Sequence, residues 1–204
     1  TLEDFAGMFR YSQLLQTVNE ADTSILSNIT TVKMYKLVTP TLNEALKYTL
    51  SFNNALYNPH SGHNATGGGI ISSTGFKISD DDSTNEHFLD DTGAGVLRVY
   101  YLNGATRVYT DATYGTVDYD TGEVVLTSAN ITSISNVDGA TSTTIRVFAI
   151  PNSNDIVPVR NQVLSIDTSN STITGEVDGI ISGGSQAGTT YTTSSSYSSG
   201  SSTY

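Results

Sequence analysis

Two Asp-Thr-Gly triplets are the residues of this chain whose types and spacing could do chemistry. Asp91-Thr92-Gly93-Ala94 has the form in which two aspartates share one proton to hydrolyse a peptide bond, and Asp120-Thr121-Gly122 is a second copy. Positions 91 and 120 are too close in the chain for each aspartate to head its own lobe. The second copy also suits a hairpin turn, Tyr119-Asp120-Thr121-Gly122-Glu123, with the glycine at positive φ. A dimer using only the first copy would need an apolar strand leading into Asp91, whereas an acidic run precedes it. Turn chemistry is the expected role of both copies.

His60, His63 and His87 are the only histidines. His60-Ser61-Gly62-His63 can bring two imidazoles together, but zinc wants a third and a fourth ligand. A glycine-rich loop gives those ligands no fixed geometry, so solvated loop histidines are expected. Asp80-Asp81-Asp82-Ser83-Thr84-Asn85-Glu86 has the composition of a calcium loop without the central glycine and closing glutamate of an EF-hand. Gly67-Gly68-Gly69 lacks the Lys-Ser/Thr of a phosphate loop. Asn28, Asn64, Asn130 and Asn170 head sequons, which chance explains in a chain this rich in Ser and Thr. No nucleophile elbow singles out a serine. The expectation is a protein that is not an enzyme, with no catalytic residue, no cofactor and no metal ligand.

Composition narrows the partners. Nine Lys+Arg against twenty Asp+Glu leave a net charge of −11, with no Cys and no Trp. Disulfides and thiolate metal sites are excluded, and nine scattered cations make a poor phosphate-binding patch. Neither nucleic acid nor an anionic membrane is expected as a partner. No uncharged stretch with real apolar content approaches the length of a spanning helix. Ser and Thr together supply 56 of 204 residues, beside 15 Asn and 18 Gly, which favours strands with many turns.

The elements follow from periodicity. Leu14, Leu15, Val18, Ala21, Ile25 and Leu26 share one helical face, so a helix is expected from Ser12, with Phe5, Met8, Phe9 and Tyr11 clustered before it. Residues 29–38 read as a strand stopped by Pro40, and Leu46, Tyr48, Leu50 and Phe52 alternate with polar residues as a half-buried strand. Residues 58–69 are turn formers, residues 70–79 leave room for a short strand, and the six carboxylates of 80–91 read as a solvated surface loop. Hairpins are expected at 96–110, through Asn103-Gly104, and at 115–128. Further strands are expected at 131–134, 143–150, 156–159 and 162–167.

The fold class expected is therefore α+β, predominantly antiparallel β and sandwich-like, with an N-terminal helix and an extended Ser/Thr/Gly/Tyr tail. The expected division is 1–58, helix plus strands that could end a larger domain; 59–95, a Gly-rich and acidic loop region; 96–181, an antiparallel β domain; and 182–204, a low-complexity tail. The tail carries no charge, and an extended segment lying along a neighbouring subunit would order it, with Tyr191, Tyr197 and Tyr204 as anchors.

Three stretches carry a family resemblance: 115–124 (GTVDYDTGEV), Thr144-Ile145-Arg146-Val147, and Pro151-Asn152-Ser153-Asn154-Asp155-Ile156. With the helix near Ser12–Ala21, Ser27-Asn28-Ile29-Thr30 and residues 48–54 (YTLSFNN), the chain resembles the large baseplate wedge subunit of contractile-tailed phages of the T-even type, cyanophages included. The resemblance spans residues 5–167 and excludes the tail. Such subunits are longer, which implies a carboxy-terminal part and fits the absence of an initiator methionine. It implies a structural virion protein that pairs with copies of itself in a ring around the hub. It also implies binding to other wedge subunits and the sheath initiator, and relay of the change that triggers sheath contraction. Assembly in the host cytoplasm is implied too. Phe5, Phe9, Tyr11, Tyr191, Tyr197 and Tyr204 are the candidate interface residues. The alternative is a carbohydrate-binding or adhesin module with Tyr100, Tyr101, Tyr109, Tyr114 and Tyr119 as its stacking surface.

Overall fold

Alternating apolar and polar side chains build nine strands around one core among the described residues. In the computed structural model, residues 7–63, 65, 67–81, 84–137, 139–159 and 162–176 are described. Helix α1 (Tyr11–Glu20) is followed by β1 (Met34–Val38), β2 (Ala45–Ser51), β3 (Ile71–Ser73), β4 (Phe76–Ile78), β5 (His87–Asp91), β6 (Val96–Asn103), β7 (Thr106–Asp118), β8 (Glu123–Ile134) and β9 (Ile145–Ala149). The chain divides into two compact units, Thr1–Ser165 and Ile166–Tyr204. Among its described residues the second unit holds a single 3-10 turn, Thr168–Asn170, capped by the Asp167 carboxylate.

The first unit has two sheets. β1, β9 and β3 form one, antiparallel throughout. In the other, the long β8 pairs β2 over its first eight residues, β7 over its first four and β4 over its last four. β4 also pairs β5, β5 pairs β6 and β6 pairs β7, so five strands close into a small barrel with β2 added beside β8. Closure removes the free edges that an open sheet would expose.

Local chemistry explains several joints. β6 and β7 are joined by Gly104-Ala105, with Gly104 at φ 63 in the first turn position. The turn therefore falls one residue later than Asn103-Gly104. The β7–β8 hairpin turns at Tyr119-Asp120-Thr121-Gly122 as expected. Asp118 Oδ1 accepts the N–H groups of Asp120 and Thr121 at 3.0 and 3.2 Å, and Gly122 takes φ 73. Between β3 and β4, Thr74-Gly75 moves the chain from one sheet to the other. Thr74 accepts the Arg146 N–H on its hydroxyl at 3.0 Å, which holds that corner.

Phe76, Leu97, Val99, Val124, Ile131 and Val147 are fully buried. The core draws on Val38 and Leu50 as well as on residues beyond 96, so positions 58 and 95 are not boundaries in it. Each such side chain contributes about 1.5–3 kcal/mol over its exposed state.

Several sequence expectations are corrected. The helix stops at Glu20, and Leu26 beyond it is exposed. The strand expected over 29–38 is only Met34–Val38. Residues 131–134 continue β8 instead of starting a new strand. No strand occupies the described residues of 156–159 and 162–167; Ile156 makes one antiparallel bridge to Phe9. The 59–95 segment holds β3, β4 and β5, and its acidic run does not end as a solvated loop, because Asp90 and Asp91 lie buried on β5. The 182–204 tail lies outside the described residues.

Gly115 sits on β7 where that strand pairs both Leu97 of β6 and Leu126 of β8. A Cβ there would fall on the Val125 carbonyl oxygen. Gly115→Ala is expected to destabilise the fold by about 1–3 kcal/mol, read as a lowered urea midpoint; an unchanged midpoint would contradict the closed pairing at β7.

Candidate interaction surfaces and the buried aspartate pair

Neighbouring residues of a strand point to opposite faces, so Asp90 and Asp91 leave β5 in opposite directions. Both are nonetheless buried, at 1% and 0% exposure. A buried carboxylate costs several kcal/mol unless its lone pairs are filled, and here they are. Asp91 Oδ1 accepts the N–H groups of Ile70 and Ile71 at 2.6 and 2.7 Å. Its Oδ2 accepts the Gly93 N–H at 3.0 Å and the Tyr119 hydroxyl at 2.6 Å. Burial, then the bond to Asp91, hold the Tyr119 hydroxyl well above its ordinary pKa, so it stays a donor.

Asp90 lies opposite Arg98 across the β5–β6 pairing. Its Oδ1 accepts from Arg98 Nε at 2.8 Å, and its Oδ2 accepts from Arg107 Nη1 at 2.8 Å and from the Tyr109 hydroxyl at 2.9 Å. Arg98 stacks 4.2 Å over the Tyr109 ring and Arg107 4.6 Å over Tyr100. Charge, hydrogen bonds and cation–π contact therefore lock β5, β6 and β7 together.

This arrangement leaves no protease. Asp91 has its acceptor positions filled by the chain's own donors, and Asp118, Asp120 and Thr121 make the hairpin turn. The tyrosine platform is not assembled either. Tyr100 and Tyr114 are buried, Tyr119 is tied to Asp91, and Tyr101 packs edge-on against His87 at 5.8 Å.

The histidines divide. His87 is buried on β5, with Nε2 3.1 Å from Thr110 Oγ1 and 3.1 Å from Asp81 Oδ2. Burial lowers its pKa, against the opposing pull of Asp81. His60 and His63 do meet, with ring centroids 4.9 Å apart. Among the described residues no group of three or more His, Cys, Asp or Glu could hold a metal ion.

Of the candidate interface residues, Phe9 and Tyr11 are half-buried by ties within the chain. Phe9 exchanges backbone hydrogen bonds with Ile156 at 2.9 and 3.0 Å. The Tyr11 hydroxyl donates to the Thr30 carbonyl at 2.7 Å, and the Tyr11 N–H donates to Asp155 Oδ1 at 2.8 Å. That carboxylate satisfies a free N–H and places negative charge at the N-terminus of α1. Phe5, Tyr191, Tyr197 and Tyr204 lie outside the described residues.

What sequence reasoning missed is how much apolar surface the N-terminal segment leaves uncovered. α1 buries none of its residues, and Leu14, Leu15 and Val18 are only half-buried. Leu26 is 76% exposed, Ile29 fully exposed and Leu37 57% exposed, with Tyr35 beside it on the outer face of β1. The signal was present as apolar residues continuing past the end of the amphipathic run.

Two outcomes follow. Asp91→Asn turns one acceptor into a donor facing donors, which is expected to cost about 1–3 kcal/mol and to speed amide exchange at Ile70 and Ile71; unchanged exchange would contradict the anchoring. His87 resists protonation in the fold while the unfolded chain accepts a proton near its ordinary pKa. The stability it contributes is present above pH 6.5 and lost as pH falls below that. The melting temperature should drop between pH 7 and 5.5 more steeply in the native chain than in His87→Gln. Parallel slopes would contradict this.

With this geometry in view, comparison with known proteins adds one finding. Residues 1–37 match the family described as baseplate structural protein gp6, C-terminal domain III. The match spans α1 and most of β1, while the motifs at 115–124, 144–147 and 151–156 lie outside it. No curated protein matches the chain. No helix among the described residues is long and apolar enough to cross a membrane. The matched family is structural and not enzymatic, and the match supports a structural role for this chain in the baseplate of a phage tail, among other baseplate components.

Proposed function

We propose that this chain is part of a wedge subunit of a contractile phage tail and that it works through interfaces built on its N-terminal segment. One observation supports the reading: the segment matched to a baseplate domain, residues 1–37, leaves Leu26, Ile29 and Leu37 exposed. These three stand in solvent at 76%, 101% and 57% exposure, and apolar side chains uncovered to this extent suit an interaction site. Phe9 and Tyr11, tied to Ile156 and Asp155, together with the β1–β9 ladder, hold that segment against the β unit.

The partners proposed are a second copy of the chain, neighbouring wedge subunits and the sheath initiator, in a ring around the hub that relays the contraction trigger. The carboxy-terminal position within a longer subunit and assembly in the host cytoplasm belong to the same proposal. A net charge of −11 keeps the free chain soluble and favours partner surfaces of opposite sign. The tail tyrosines Tyr191, Tyr197 and Tyr204 and the amino-terminal Phe5 complete the proposed contact set.

Light scattering over a concentration series tests self-pairing. The intact chain is expected to gain mass with concentration, and Ile29→Asp, which alters a fully exposed side chain, should weaken that association by about tenfold or more. Phe9→Ala and a chain ending at Gly183 should weaken it too. A monomer at every concentration would contradict pairing through this segment.

A further inference from the structure

The loop carrying His60 and His63 is tied down along its length. The Gly62 N–H donates to the Gly93 carbonyl at 2.9 Å, and the Asp91 N–H donates to the Gly68 carbonyl at 3.3 Å. Arg98 Nη2 donates to the Ala65 carbonyl at 3.3 Å. Within the loop, the N–H groups of His63 and Ala65 donate to the carbonyls of His60 and Gly62, each at 3.1 Å. A Cβ on Gly93 would fall on the His63 backbone, so the loop sits directly against the Asp91–Gly93 turn. The glycine-rich composition therefore does not leave the two imidazoles without a fixed geometry.

Their nitrogens converge. His60 Nδ1 lies 3.2 Å from the Ser61 carbonyl oxygen, which can only accept, so Nδ1 carries the proton and Nε2 carries a lone pair. A ring N–H given to a backbone carbonyl is the arrangement that orients metal-ligating histidines. The His60 Nε2 lone pair faces His63 Nδ1 at 3.3 Å. With Nε2 accepting, His63 Nδ1 donates in this contact, and an ion bound here takes the place of that proton. Two nitrogens held by one zinc ion at its usual bond lengths and tetrahedral angle stand about 3.3 Å apart. The rings are nearly perpendicular, at 81°, and Tyr57 packs edge-on against His63 at 5.3 Å, which fixes that ring.

We propose that His60 Nε2 and His63 Nδ1 chelate one divalent late transition-metal ion, of which Zn²⁺ is the probe. Imidazole pairs select such ions over Mg²⁺ and Ca²⁺, which prefer oxygen ligands. With two protein ligands, the remaining positions stay open to water. His60 is exposed and His63 half-buried, so the ion enters from solvent.

Calorimetric titration of the tag-free intact chain with zinc chloride tests this. One ion per chain should bind, His60→Ala and His63→Ala should each weaken it by about tenfold or more, and excess Mg²⁺ should not compete. His87→Gln, which alters the buried histidine, should leave the affinity unchanged. Nitrogen-15 spectra of the imidazoles supply a second readout, in which zinc should shift His60 Nε2 and His63 Nδ1 while His87 stays in place. Absence of saturable binding would overturn the proposal, as would binding that survives both alanine variants, which would place the ion on carboxylates. The substituted side chains lie on a surface loop, so unchanged melting temperatures are expected to accompany the loss of binding.

Discussion

The architecture depends on burying two adjacent carboxylates on one strand. A buried charge is tolerated only when its acceptor positions are filled. Asp91 recruits Ile70, Ile71, Gly93 and Tyr119 on one side of β5, and Asp90 recruits Arg98, Arg107 and Tyr109 on the other. Between them these bonds fix the entry to β3, the β5–β6 turn, the β7–β8 hairpin and the outer lattice of β6 and β7. The same strand supplies buried His87 and Leu89. β3, which pairs over only three residues, is held by the Ile71 link as well as by its ladder.

Around that anchored barrel the N-terminal segment is built differently. α1 contributes no buried residue, and its attachment comes through a backbone bridge at Phe9, a carboxylate from Asp155 and one tyrosine hydroxyl. A scaffold secured by filled polar networks, joined to a lightly held segment with apolar residues in water, is a division suited to assembly. In the proposed function the scaffold keeps its shape while the segment finds a partner. The likeness of residues 1–37 to a baseplate domain falls on that segment.

Much of the scaffold was legible in the residues because it is set locally. The alternation of Leu46, Tyr48 and Leu50 gave β2, and Asp120-Thr121-Gly122 gave the second hairpin. The acidic run was misread for a physical reason: a row of carboxylates predicts solvation only if no donors arrive from elsewhere. Here most of the donors come from 17 to 28 positions away in the chain, such as Arg107 for Asp90 and Tyr119 for Asp91. A hint existed, since two of nine cations, Arg98 and Arg107, fall on the hairpin that follows the acidic strand. The histidine pair was visible in spacing, but its rigidity was not, because it comes from ties to Gly93 and Arg98.

Hydrogen exchange, compared between the free chain and tail baseplates that carry it, tests the division between scaffold and docking segment most directly. Protection should rise over residues 11–37 on assembly, while β5–β8 should be equally protected in both states. Protection gained on the barrel strands, with residues 11–37 exchanging as fast in the baseplate as in the free chain, would contradict the account.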